Sequence, residues 1–331
     1  MAFFKSILVT GGAGFIGSNF VRRIFNRHGD CNITVLDALT YAGNLENLEG
    51  IVGDDRVTFV KGSIADSNVV MEAMDGCEAV FNLAAETHVD RSIHEATTFI
   101  DTDILGTYTL LRAAMEHNVK RFIQISTDEV YGSSSGDNFD ETAQLNPGNP
   151  YSASKCGGDL MCLAFHNTFE VPVVITRSSN NFGPYQHVEK FIPLFITNTM
   201  EGKELPLYGD GMHERDWIYV EDNCAALEKV STDGKSGEIY NIAVGKSQPN
   251  LHIAKQILKL LDVPESRIVF IEDRKGHDRA YLLDSKKIEA LGWKPEVDFN
   301  SAMEKTVSWY RDNQKWWESV KSGTFREYYK A

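Results

Sequence analysis

Tyr151 and Lys155 stand in the run Tyr151-Ser152-Ala153-Ser154-Lys155, directly after Pro150. On a helix opened by that proline, i, i+4 spacing puts phenol and ammonium on one face. A free phenol ionises near pH ~10, and a neighbouring ammonium favours the phenolate, so the pair can work as a general base. Alone, a Tyr and a Lys at this spacing are commonplace on a solvated helix. A second group lies upstream, where Asp128 and Glu129 directly follow the hydroxyl residues Ser126 and Thr127. Two carboxyl groups whose surroundings push their pKa values apart can act as acid and base in one reaction. The plain alternative is a pair of solvated loop acids.

A third feature supplies a context for both. The run Thr10-Gly11-Gly12-Ala13-Gly14-Phe15-Ile16-Gly17 separates the apolar segment Ile7-Leu8-Val9 from a helical pattern. Gly11 allows a tight turn, Gly14 lets backbone approach a pyrophosphate, and Gly17 lets the helix pack closely on a sheet. The helix N-terminus then offers free N–H groups to the phosphates. Asp37 ends the second apolar run about 20 residues beyond Gly17. A carboxylate there accepts from adenosine ribose hydroxyls and disfavours a 2′-phosphate, so NAD is expected rather than NADP.

The elements that must hold these groups follow from the hydrophobic pattern. Short apolar runs at Ile7–Val9, Ile33–Leu36, Val57–Val60, Ala79–Leu83, Phe122–Ile125 and Val173–Thr176 alternate with helical stretches at Ile16–Asn26, Val69–Met74, Thr98–Glu116 and Tyr151–Phe169. That alternation predicts an α/β fold, a doubly wound parallel sheet of the Rossmann type. Thr127 to Glu129 then fall at the carboxyl end of a central strand, where such folds bind ligands. After about residue 178 the rhythm breaks at Pro184, Pro193, Pro206 and Gly209-Asp210-Gly211. We expect Ile218–Val220 and Ile239–Ile242 to return to the sheet as strands. The dinucleotide domain would comprise 1–180 with 218–245, and a smaller interleaved α/β substrate domain 181–217 with 246–331.

Composition narrows the class. Of 331 residues 42% are hydrophobic, and 33 Lys and Arg against 47 Asp and Glu give a net charge of −14. So acidic a chain is a poor candidate for nucleic acid or an anionic membrane surface. The cysteines, Cys31, Cys77, Cys156, Cys162 and Cys224, are odd in number and form no C-x-x-C pair, so neither a disulfide framework nor a metal site is expected. No stretch reads as a secretory signal or a membrane span, and a cytoplasmic location is expected.

The glycine loop with the Tyr–Lys pair resembles the extended short-chain dehydrogenase/reductase superfamily over nearly the whole chain. The superfamily's catalytic Ser or Thr corresponds to Thr127 or its neighbour Ser126. A narrower resemblance, to the dTDP-glucose 4,6-dehydratase family, rests on six segments in order. These are Thr40-Tyr41-Ala42-Gly43-Asn44, Ala85-Glu86-Thr87-His88-Val89-Asp90-Arg91-Ser92, Thr127-Asp128-Glu129-Val130-Tyr131-Gly132, Arg177-Ser178-Ser179-Asn180-Asn181-Phe182-Gly183-Pro184-Tyr185, Leu205-Pro206-Leu207-Tyr208-Gly209-Asp210-Gly211 and Asp273-Arg274-Lys275-Gly276-His277-Asp278-Arg279.

That resemblance implies a cycle of oxidation at C4, loss of water across C5 and C6, and return of hydride to C6. Tyr151 would be the base at the C4 hydroxyl, with Lys155 and Thr127 supporting it. Glu129 would remove the C5 proton and Asp128 protonate the departing C6 hydroxyl. It implies NAD contacts at Gly11, Gly14, Phe15, Ile16, Gly17, Asp37, Ala38, Leu39, Thr40, Ser63, Ile64, Leu83, Ala84, Ala85, Thr102, Tyr151, Lys155 and Asn181. It implies nucleotide-sugar contacts at Thr87, His88, Thr127, Asn180, Lys190, Phe191, Pro206, Leu207, Tyr208, Arg215, Asn250, Arg274 and His277. Lys190 and Arg215 suit a diphosphate, and Tyr208 can stack on a pyrimidine. A homodimer through the helices Thr98–Glu116 and Tyr151–Phe169 is implied as well.

Four positions depart from the family, Cys156 and Phe182 mildly and two others more sharply. Ser63 replaces the usual Asp that meets the adenine amine, and Asp103 replaces the Asn usual after Thr102. Three other readings stand beside the dehydratase: a nucleotide-sugar 4-epimerase, which has no need of Asp128 and Glu129; UDP-glucose as the dehydratase substrate; and a non-catalytic NAD-binding sensor.

Overall fold

The computed structural model describes residues 3–134, 136, 138–273 and 282–322. Its first half runs β1 (Ser6–Thr10), α1 (Phe15–Arg27), β2 (Asn32–Asp37), β3 (Val57–Lys61), α2 (Ser67–Met74), β4 (Ala79–Asn82), α3 (Val89–His94), α4 (Thr97–Phe99), α5 (Thr107–Glu116), β5 (Arg121–Thr127), α6 (Pro150–Phe169) and β6 (Val173–Ser178). The second half runs β7 (Asn180–Phe182), α7 (Phe191–Met200), β8 (Leu205–Tyr208), β9 (Glu214–Tyr219), α8 (Val220–Asp233), β10 (Ile239–Ile242), β11 (Ser247–Pro249), α9 (Asn250–Leu260), β12 (Ile268–Ile271), α10 (Lys286–Glu289), α11 (Phe299–Asp312) and α12 (Gln314–Ser322).

Seven strands form one sheet in the order β10-β6-β5-β4-β1-β2-β3, and every pairing in it is parallel. This is the doubly wound architecture the sequence predicts. Alternation along a strand sends Ile7 and Val9 to one face and Leu8 to the other, and each face packs on its own helical layer and apolar core. The strand order reverses between β1 and β4, which opens a crevice at their carboxyl ends. A third core, around Phe182, Phe195, Leu205, Trp217, Ile257, Tyr310 and Trp317, holds the second half together.

Two expectations need correction. Ile239–Ile242 does return to the large sheet, as β10 beside β6. Ile218 instead lies in β9, which pairs with β7 and β11 in a separate three-stranded sheet, and Val220 already begins α8. A short apolar run says that a strand is buried, not which sheet buries it. Likewise Thr98–Glu116 is no uniform helix: residues Ile100–Gly106 form a π-helical stretch before α5. That stretch lies tight on α6, where a Cβ on Gly158 would stand 2.7 Å from the Asp103 carbonyl oxygen.

Candidate active site

β5 ends at Thr127, and the chain turns at once into a short 3-10 helix, Asp128–Tyr131. Thr127 caps that turn: its hydroxyl oxygen accepts from Glu129 N at 3.3 Å and the hydroxyl donates to Asp128 Oδ1 at 3.0 Å. Ser126 points to the other face, towards Asp159. Opposite Thr127 is the start of α6. Asn149 caps the helix with a full capping box to Ser152, and Pro150 occupies its first turn. Tyr151 is thereby fixed within hydrogen-bond reach of Thr127. One turn later the Lys155 ammonium donates to the Ile125 carbonyl oxygen at 2.8 Å and lies 3.9 Å from Asp103 Oδ1. The fold thus brings Thr127, Asp128, Glu129, Tyr151 and Lys155 into one place at the strand's carboxyl end.

The electrostatics separate these groups. Burial, then repulsion from Glu129, pushes Asp128 up to about 7. A carboxyl in that state can still carry a proton near neutrality. Tyr151 moves opposite to the simple expectation for a Tyr–Lys pair. Burial, and after it the charges of Glu129 and Asp103, raise the phenol well above its ordinary value, because several acids crowd it while Lys155 is engaged elsewhere.

Sequence reasoning passed over Asn149. Its amide donates to Glu129 Oε2 at 3.5 Å, so one residue ties the helix cap to the acid pair. An Asn directly before Pro-Tyr is a capping signal, and that signal points to the residue, though not to its second contact.

The crevice fits a dinucleotide. Gly14 caps α1 without any side chain, so no side chain competes for the first-turn N–H groups at Phe15, Ile16 and Gly17, which a phosphate would suit. A Cβ on Gly11 would meet the Ala84 backbone at 2.7 Å, and one on Gly17 would stand 2.1 Å from the Gly11 carbonyl oxygen, so neither position accepts a side chain without moving the loop. Asp37 is buried and accepts from Ala13 N and Leu39 N at 2.9 and 2.8 Å, which aims the end of β2, with Ala38 and Thr40, into the crevice. Leu83, Ala84 and Ala85 follow β4 on the opposite wall, and Ile64 is buried beside it. Ser63 is exposed, and its hydroxyl oxygen already accepts from Ala65 N at 3.1 Å. Thr102 lies on the π-helical stretch, and the Asn181 amide donates to the Ser179 carbonyl oxygen.

The expected substrate residues are spread over several elements. Thr87, His88 and Lys190 meet around the buried Glu189: Lys190 donates to the Thr87 carbonyl oxygen at 2.7 Å, and His88 lies 3.7 Å and Lys190 3.9 Å from the Glu189 carboxylate. Phe191 begins α7 and packs on Phe195 and Trp217. Pro206, Leu207 and Tyr208 lie along β8, where Leu207 is buried in the third core while Pro206 and Tyr208 are partly open. Arg215 on β9 acts on Asp128, while Asn180 and Asn250 keep buried amide oxygens with no hydrogen-bond partner among the described residues. Arg274 and His277 lie outside the described residues.

All five cysteines are buried and free, and no group of His, Cys, Asp or Glu among the described residues could hold a metal ion. Nor is any described helix long and apolar enough to cross a membrane.

Comparison with known proteins follows this geometry. Residues 8–306 match the family model described as GDP-mannose 4,6 dehydratase. The chain is 49% identical over 304 residues to the low-salt glycan biosynthesis protein Agl12 of Haloferax volcanii, covering 92% of this chain and 98% of that one. It is 47% identical over 321 residues to a dTDP-glucose 4,6-dehydratase of Streptomyces niveus, covering 96% of each. Among solved structures, the dTDP-glucose 4,6-dehydratase DesIV of Streptomyces venezuelae, with NAD bound, superposes with a TM-score of 0.93 at 46% identity, covering 95% of this chain and 99% of that one.

Proposed function

The chain belongs to the NAD-dependent dTDP-glucose 4,6-dehydratase family, and from that premise we propose that it converts dTDP-glucose to dTDP-4-keto-6-deoxyglucose. The observation that carries this reading is the acid pair beside Thr127. Asp128, lifted to about 7, can reach the reaction protonated, and Glu129 stands next to it as a base. A 4-epimerase needs no such pair.

NAD, which the α1 N-terminus and the end of β2 would hold, would supply a reversible hydride acceptor. The chain's own residues do the rest. Tyr151 takes the C4 hydroxyl proton, with Thr127 holding the C4 oxygen and Lys155 beneath. The C4 ketone acidifies C5–H, which Glu129 removes, and Asp128 protonates the C6 hydroxyl as it departs. Glu129 then returns a proton to C5. Because oxidation and reduction cancel in each cycle, NADH does not accumulate. Lys190 and Arg215 serve the diphosphate, and Tyr208 the base.

We infer a homodimer through the outer faces of the π-helical stretch, α5 and α6. Ile100 (50% exposed), Leu105 (45%), Tyr108 (37%), Leu160 (55%) and Phe169 (52%) leave apolar surface there that a second copy would cover. Leu160→Arg should then sediment as a monomer.

The direct test is incubation with dTDP-glucose and, in parallel, UDP-glucose. Alkaline absorbance of a 4-keto-6-deoxy sugar is expected from dTDP-glucose; dTDP-galactose in its place would sink the proposal. Glu129→Gln should block dehydration yet still show C4 oxidation in a single turnover.

A further inference from the structure

Asp103 is 2% exposed on the π-helical stretch that packs on α6. The Ser154 hydroxyl donates to its Oδ2 at 2.6 Å. Its Oδ1 is buried with no hydrogen-bond partner among the described residues, and the Lys155 ammonium stands 3.9 Å away. Lys155 therefore faces two acceptors of different kinds, the Ile125 carbonyl oxygen and a carboxylate.

We propose that Asp103 is a positioning residue for the base: on the π-helical stretch against α6 it shares the Lys155 ammonium with the Ile125 carbonyl oxygen and sets a buried negative charge beside the Tyr151–Lys155 pair. This rests on the reading of Tyr151 as the base at C4. Asp103 faces charged and titratable groups from every side. Lys155, Asp159 and Tyr151 face it from α6, and Glu86 from the loop after β4, while Asp101 on its own stretch is exposed. Burial raises Asp103 to about 6 against the pull of Lys155, so it is ionised through the neutral range. Its charge is among the leading causes, after burial and Glu129, of the raised Tyr151 phenol.

Asp103→Asn removes the charge and keeps an oxygen for the Ser154 hydroxyl. In the NAD-loaded enzyme the acid limb of kcat/KM for dTDP-glucose should move down by roughly one pH unit. Ser154→Ala withdraws a donor but leaves Asp103 ionised where the phenol titrates, so the limb should stay near wild type; a shift as large as that of Asp103→Asn would mean that packing rather than charge moves the phenol, and would overturn the inference. Phenol ionisation supplies a readout free of turnover. The ultraviolet difference between each protein and its Tyr151→Phe partner should titrate at lower pH without the Asp103 charge. If dehydration proceeds and neither the limb nor the phenol moves in Asp103→Asn, Asp103 only packs α6 and the inference fails. If no dehydration occurs while the phenol moves, the functional reading fails and the electrostatic one stands.

Discussion

The Asn149 amide reaches Glu129 Oε2 at 3.5 Å while its side-chain oxygen accepts from Ser152 N at 2.9 Å. One side chain therefore closes the N-terminus of the helix that carries Tyr151 and Lys155 and steadies the carboxylate that must work opposite them. On the proposed mechanism, helix capping and catalysis would be coupled through it.

Asn149→Ser separates the two roles. Serine caps as well as asparagine but is too short to reach Glu129. Thermal stability should stay near wild type, whereas dehydration slows roughly tenfold with C4 oxidation spared, a loss of about 1.4 kcal/mol in the transition state. Asn149→Ala should also lose about 1 kcal/mol of stability. Equal slowing of oxidation and dehydration in the serine variant would show that Asn149 acts on the whole helix instead.

Asp128 gives a pH signature of two kinds. Its folded pKa, about 7, lies above the ordinary value of 3.8. The folded state thus holds this proton more tightly than the unfolded chain. The group adds stability at low pH; that contribution is lost as pH rises from about the unfolded value to about 7, and is constant beyond. Asp128→Asn should leave the melting temperature unchanged at pH ~4 and raise it by roughly 2–5 °C at pH ~8. As the proposed acid, Asp128 must be protonated, so the elimination step, followed in a single turnover after C4 oxidation, should slow as pH rises through about 7. A flat rate from neutrality upward would remove Asp128 from that role.

If the proposed adenine contact holds, Ser63 should limit the grip on NAD. Its exposed hydroxyl is turned into a local bond with Ala65 N, leaving little for an adenine amine. Ser63→Asp supplies a charged acceptor at the same place. NAD binding, measured calorimetrically, should be roughly 3- to 10-fold weaker in the wild type than in the variant. Equal affinities would mean that the adenine is held from elsewhere.

Arg177 is fully enclosed. It donates to Asp159 Oδ2 at 3.0 Å and to the Tyr131 hydroxyl at 2.9 Å, and Tyr131 in turn donates to Asn241 Oδ1 at 2.9 Å. The chain of bonds ties β6, α6, the turn after β5 and β10. Arg177→Ala leaves Asp159 buried without its cation and should cost about 3–5 kcal/mol in urea unfolding. Lysine should not restore it, because a point charge cannot serve both partners of a planar fork.

The sequence by itself determined the parallel sheet, the glycine loop and the Tyr151–Lys155 pair, because periodicity, glycine placement and helical spacing are local and leave their mark in consecutive residues. It also carried the six segments on which the family likeness rests. Tertiary structure decided the rest. Only packing placed Ile218 in a second sheet, since an apolar strand binds whichever neighbour its surroundings provide. Only the fold brought Asn149 to Glu129 and Asp103 to Lys155, contacts between residues far apart in the chain. And only burial decided that Asp128 keeps a proton near neutrality and that Tyr151 is pushed up rather than down: the cost of removing a charge from water depends on what encloses it, and no spacing along a chain records that.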